Sequence, residues 1–270
     1  MAEPLILERR EGDVALLTFN DPERLNAMTE AMGRALSERV GALAGEGRLR
    51  AVVLTGAGRA FSAGGDLEMI ERKNREAREA PGGPVRDRNR DFMAGFYRLY
   101  LAVRDLPCPS VAAINGAAVG AGLCVALACD LRIAAREARL GLNFARLGIH
   151  PGMGATWTLP RLVGPARAAE LLYTGRLFDG AEAEALGLVN RAVAREQVVP
   201  AALELAGSIA EAAPRAVRGT KQALARSLDA DLASQLAFEA DQQSLDYETA
   251  DLAEGLAAAR ERRPPTFRGE

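Results

Sequence analysis

The chain has 270 residues, 49% hydrophobic, 5% aromatic and 26% charged, and alanine alone fills 53 positions. That length supports one large domain with an ample core, or one domain with an appendage, and the charge content excludes a disordered or membrane-embedded chain. A net charge of −2 argues against a general nucleic-acid binder, and a single histidine, His150, beside three cysteines, Cys108, Cys124 and Cys129, leaves neither a zinc cluster nor a disulfide framework.

The first segment, MAEPLILERREGD, has a short apolar run broken by charges, which is not a signal peptide. No window approaches the length of a membrane span, and the sparse cysteines suit a reduced compartment, so a cytoplasmic protein is expected. Residues 4–19 read as two short strands around Glu11-Gly12-Asp13, and residues 28–44 carry apolar positions at helical spacing. AVVLTG at 51–56 reads as a buried strand, followed by the glycine-rich GAGRAFSAGGD and a helix from LEMI. The stretch 72–90 holds seven basic residues against three acidic ones, with PGGP inside it, and is predicted to be a mobile surface segment. A helix over 91–105 resumes the core. SVAAING at 110–116 is a second strand ending in glycine, AVGAGL at 118–123 a tight turn into the helix LCVALAC, and LRIAA at 131–135 another strand. Short helices punctuated by glycine fill 152–187, LVNRAV is a last strand, and from about 197 the chain reads as helix alone. The spacing therefore predicts an α/β core over 1–196 with a helical C-terminal subdomain over 197–270.

The two strand–glycine–helix turns carry the chemical signal. A helix N-terminus presents unpaired N–H groups and partial positive charge, and small residues let a ligand reach the backbone. Two such turns aimed at one oxygen make an oxyanion hole, with Ala63 and Ala121 as the expected donors. Neither turn matches a nucleotide fingerprint, because GAAVGAG lacks the GxGxxG spacing and no GK[ST] follows. No GxSxG elbow accompanies His150, so a serine triad is not indicated. Either turn taken alone is a common packing device in α/β proteins.

Several segments together resemble the enoyl-CoA hydratase/isomerase (crotonase) family: DPERLNAM at 21–28, GRAFSAGGDL at 58–67, PSVAAINGAAVGAGLCVALACDLRIAA at 109–135, LGIHPGMGATWTLPRLVG at 147–164, LLYTGRLFDGAEAEALGLVNRAV, and EGLAAARERRPPTFRG at the C-terminus. The resemblance implies a crotonase-like spiral of ββα units, a helical tail for oligomerisation, and trimers or dimers of trimers. It implies an acyl-CoA thioester as ligand, so that coenzyme A enters as part of the substrate with no tightly bound cofactor and no metal. The thioester carbonyl would accept from the N–H groups of Ala63 and Ala121. Ala63, Gly64, Gly65, Asp66 and Leu67 would border the coenzyme, with Asp66 also capping the following helix. Arg24, Lys221, Phe267 and Arg268 are further coenzyme contacts by resemblance, the last three from this chain or from a neighbouring subunit.

The sequence departs from the family pattern in the acyl pocket. The two positions that carry glutamates in family hydratases fall at Cys124 and Phe144, and the aspartate of an isomerase relative falls at Gly152. Ordinary syn-hydration by paired carboxylates is therefore not expected, and double-bond isomerisation or altered chemistry is favoured. His150, whose ordinary pKa suits a proton carrier, is one substitute. A histidine before proline is as readily a surface residue, and Cys124 in an alanine-rich helix is most simply an apolar filler. Glu68 and Glu71 could face the acyl pocket, with a solvated surface the default; Asp130 reads as structural; Tyr97 and Tyr100 could line the acyl pocket, with core packing the default. The alternative reading is a non-catalytic acyl-CoA-binding homologue; a dinucleotide oxidoreductase is the weakest of the three.

Overall fold

In the computed structural model, which describes residues 3–270, strands and helices alternate as expected, but the strands divide between two sheets. Strands β1 (Ile6–Glu11), β2 (Val14–Phe19), β3 (Ala51–Gly56), β5 (Ser110–Ile114), β7 (Leu131–Ala135) and β10 (Arg191–Val193) form the larger sheet, in the order β1-β2-β3-β5-β7-β10. β1 and β2 pair antiparallel across the Gly12 turn, and every later neighbour is parallel. β3 and β5 are buried at every position, as apolar runs covered on both faces must be. The smaller sheet contains β4 (Ala60–Ser62), β6 (Ala117–Val119), β8 (Leu140–Gly141) and β9 (Leu177–Phe178), the first three parallel and β9 antiparallel to β8.

The chain thus gives one strand to each sheet and then a helix. β3 and β4 lead to α2 (Leu67–Glu79), β5 and β6 to α4 (Ala121–Ala128), and β7 and β8 to the 3₁₀ turn Asn143–Leu147 and α5 (Ala155–Val163). This is the ββα spiral that the resemblance implies. The small strands are two or three residues long, too short to show alternation in the sequence. α1 (Glu30–Ala44) starts at Thr29, whose side chain accepts from Met32 N at 3.1 Å, and buries Met32, Leu36, Val40 and Leu43.

The segment 72–90 lies at the surface, as expected, but it is helical. It is the body of α2 and the first half of α3 (Gly83–Leu101), broken only at residues 80–82. Pro84 sits in the first turn of α3, where proline has no N–H to waste. The two helices are joined by Lys73, whose ammonium lies 3.6 Å from the Phe92 ring centroid and 3.2 Å from Asn89 Oδ1. Dense charge and PGGP in the sequence hide this pairing.

α6 (Pro165–Thr174) and α7 (Gly180–Ala185) occupy the expected helical stretch before β10. Of the C-terminal helices, α8 (Val198–Ala210) packs on the larger sheet and buries Val198, Ala201, Ala202 and Ala206, so the boundary expected at 197 falls before a helix of the core. α9 (Pro214–Arg226), α10 (Leu232–Asp246) and α11 (Ala250–Glu261) follow with few buried residues; Leu224, Leu232, Leu236 and Tyr247 are exposed. The tail folds back on α11, where the buried Asp251 carboxylate accepts from Arg268 N at 2.7 Å and Gly269 N at 2.8 Å. Among the described residues no helix is long and apolar enough to cross a membrane.

Candidate active site

The turns that leave β4 and β6 come from adjacent parallel strands and touch. Gly64 adopts φ +100°, and a Cβ there would lie 2.5 Å from Val119 O and 3.7 Å from Ala121 N. Only glycine lets the first turn come this close to the second. Both turns line one cleft of about 1410 Å³, a volume that suits a long, partly solvated ligand.

The amides of these turns have different fates. Ala121 opens α4, so its N–H has no acceptor within the helix. Gly120 before it has φ +54°, which tips the peptide into this position. Ala63, the donor expected in the first turn, is not free: its N–H donates to Leu25 O at 2.9 Å. Gly64 N is satisfied by Ser62 Oγ at 3.2 Å, and Asp66 N by Met28 O at 3.2 Å. Among the described residues the amide left without a protein partner is that of Gly65, which lines the cleft. The first-turn amide open to a ligand is therefore that of Gly65, two residues beyond the expected one. The cause lies in the DPERLNAM segment, which docks along the turn and consumes alternate amides; no local signal in the turn shows it.

Asp66 is buried, N-caps α2 by accepting from Met69 N at 2.7 Å, and forms an ion pair with Arg24. Arg24 also lines the cleft, as do Gly64 and Leu67. Lys73, Arg75 and Arg78 of α2 add positive charge to the same wall, so the surface-charge reading of that segment is incomplete. Glu71 and Glu79 lie among them and are exposed.

The acyl end is apolar. Phe144, in the 3₁₀ turn after β8, is buried and lines the cleft, as do Met69, Ile70, Phe96 and Met153. Cys124 lies one turn along α4 from Ala121, its Sγ 3.7 Å from Gly152 O. Burial pushes its thiol up to about 12, so it stays protonated and inert at neutral pH. His150 is exposed and lines the cleft, with Nδ1 2.7 Å from Pro151 O. Tyr97, for which the sequence offers the acyl pocket beside the default of core packing, lines the cleft next to Gly152.

Three expected coenzyme contacts lie elsewhere in the chain. Lys221 Nζ is 2.9 Å from both Asp130 Oδ2 and Cys108 O, and Asp130 also accepts from Ser110 N and Oγ at 2.8 Å, a structural cluster. Phe267 O accepts from Arg50 at 3.2 Å, and Arg268 is held by Asp251. None of the three lines the cleft within one chain. Among the described residues no group of His, Cys, Asp and Glu side chains could hold a metal ion.

A ββα spiral whose two touching turns present backbone N–H groups at one cleft is the architecture to compare with known proteins. The enoyl-CoA hydratase/isomerase family model matches residues 9–270. The chain is 35% identical to crotonyl-CoA hydratase of Syntrophomonas wolfei, over 98% of each sequence. It is also 35% identical to mitochondrial methylglutaconyl-CoA hydratase of Mus musculus, covering 98% of this chain and 82% of that one. The crystal structure of enoyl-CoA hydratase from Bacillus anthracis superposes with a TM-score of 0.89 at 37% identity, covering 98% of this chain and all of that one. The chain belongs to the enoyl-CoA hydratase/isomerase family.

Proposed function

We propose that this chain binds an enoyl-CoA thioester and stabilises its enolate between the N–H groups of Gly65 and Ala121. The observation that carries this reading is the pair of unpaired amides on touching turns at one cleft. Donors fixed by the backbone need no reorganisation as charge develops on the thioester oxygen. The enolate is common to double-bond isomerisation and to addition at the β-carbon. Arg24, with Lys73, Arg75 and Arg78, supplies positive charge for the coenzyme phosphates. The apolar acyl end, with Cys124 and Phe144 where the family pattern has carboxylates, favours isomerisation or an altered hydration over the two-glutamate route. Assembly into trimers through the exposed apolar faces of α9 and α10 completes the proposal.

The test is a panel of enoyl-CoA thioesters, followed by loss of the conjugated double bond and by chromatography of the products. Turnover of at least one thioester is expected. Tight binding with no turnover of any would establish the second reading, an acyl-CoA-binding homologue, which the inert Cys124 and Phe144 favour.

A further inference from the structure

The cleft contains one hydroxyl that the fold does not use. α3 carries two tyrosines three residues apart. Tyr100 is completely buried, and its hydroxyl donates to Thr29 O at 2.6 Å, tying α3 to the start of α1. Tyr97 is half-buried and lines the cleft, and its hydroxyl makes no hydrogen bond among the described residues.

The surroundings make room for it. A Cβ at Gly152 would lie 2.8 Å from Tyr97 Cζ and closer still to the hydroxyl oxygen. The backbone of Gly152 is not in the left-handed region, so its conformation does not demand glycine; the Tyr97 ring does. Gly152 O in turn touches Cys124 Sγ, and Cys124 lies on α4 three residues after Ala121. Gly152 thus stands between the Tyr97 ring and Cys124, which is itself one helical turn from a proposed donor amide.

Other proton-bearing groups at the cleft are less well placed. The Cys124 thiol is buried and locked in its protonated form. His150 is exposed, and Glu71 and Glu79 sit on the exposed wall among basic side chains.

The geometry points to Tyr97 as the proton carrier of the reaction, its hydroxyl serving the α-carbon of the enolate; this rests on the enolate reading above. Burial, and secondarily Cys124, raise the phenol above its usual range, which keeps it protonated at neutral pH, the state a donor needs. In the addition direction, a water oxygen bonds to the β-carbon and the π electrons of the double bond pass into the enolate. The α-carbon then takes the Tyr97 proton as the O–H bond breaks. The phenolate recovers the proton that the added water releases. One water is added across the double bond, nothing is oxidised or reduced, and Tyr97 is regenerated.

The test is Tyr97→Phe, which keeps the ring against Gly152 and deletes only the hydroxyl. With crotonyl-CoA as probe, kcat is expected to fall by about 10²-fold or more. KM, the affinity for butyryl-CoA and the melting temperature should stay at wild-type values, and deuterium incorporation at the α-carbon should be lost. A kcat within about twofold of wild type would overturn the inference, since that is far below a general-acid effect. If Tyr97→Phe fails to fold, fluorotyrosine at position 97 gives the same decision, because its more acidic phenol must shift the pH–rate profile and an unchanged profile overturns the inference. A wild-type chain with no activity on any thioester would instead sink the enolate reading, and Tyr97 with it.

Discussion

Met28 and Gly65 face one another across a single parallel bridge, and this pairing decides which amide the first turn can offer a ligand. The residues flanking Gly65 make the bonds: Met28 N donates to Gly64 O at 2.8 Å, and Asp66 N donates to Met28 O at 3.2 Å. In a parallel bridge the central residue turns its own N–H to the opposite side. Gly65 N–H consequently faces the cleft, and the DPERLNAM segment acts as the template that aims it.

Ala121→Pro should separate donor from fold. Ala121 is the first residue of α4, where proline is well tolerated, so the melting temperature should hold while the N–H is lost. Turnover of an enoyl-CoA should fall by about 10²–10³-fold in steady-state kinetics. Gly65→Ala is the companion, because it keeps its N–H and its Cβ would meet only the end of Ile70 at 3.3 Å; most of the activity should remain. Wild-type rates in Ala121→Pro would remove this amide from the reaction.

Gly64→Ala should damage both stability and activity. The position has φ +100°, and the new Cβ would meet Val119 O, a backbone atom that cannot swing away. Backbone strain of this kind costs about 1–3 kcal/mol, before any loss from separating the two turns. Thermal unfolding followed by circular dichroism, with the single tryptophan Trp157 as a second probe, would detect it. A variant that melts with the wild type would show that the turns need not touch.

Much of this architecture is legible in the sequence, and the exceptions have physical causes. β3 and β5 announce themselves as apolar runs, and Asp66 as a helix cap. The small strands β4, β6 and β8 do not, because their pairing is imposed by the larger sheet. Ala63 and Gly65 are indistinguishable within SAGGD; the difference lies in Leu25 O and Met28, some forty residues earlier. Tyr97 and Tyr100 share a helix face in the sequence, and only Thr29 O and Gly152 tell them apart. Within one chain Lys221 pairs with Asp130, a partner ninety-one residues away that no local spacing announces.

The three thiols should be silent in the native protein. All are buried, and burial pushes Cys124 and Cys129 up to about 12 and Cys108 above its usual range. At pH 8 with iodoacetamide, intact-mass measurement should find no adduct on the folded chain and three after unfolding in guanidinium. Rapid native labelling of one thiol would contradict the packing around it.

The C-terminal tail should loosen in acid. Glu254 accepts from Arg263 at 2.6 Å and from Thr266 N at 2.8 Å, and these bonds hold its carboxyl at about 2, against an ordinary value of 4.5. A depressed folded pKa stabilises above the unfolded value, and that contribution is lost as pH falls through the folded one. Hydrogen exchange at the Thr266 amide should therefore accelerate between about pH 4.5 and 2, beyond the intrinsic trend of an unstructured peptide. Glu254→Gln should show the faster exchange already at pH 7. Identical exchange in the two proteins would detach Glu254 from the tail.

Part of the cleft wall comes from three short segments, each leaving a neighbouring strand of the smaller sheet: residues 63–67 after β4, 120–121 after β6 and 143–153 after β8. Strands in such a sheet stand only about 4.8 Å apart, so the segments reach a common point. In the proposed reaction the first two seat the thioester oxygen, whereas the third carries Phe144 and Gly152. Grip and outcome would then be inherited separately. Exchange of residues 143–153 alone could redirect what becomes of a bound acyl chain while its oxygen is held as before.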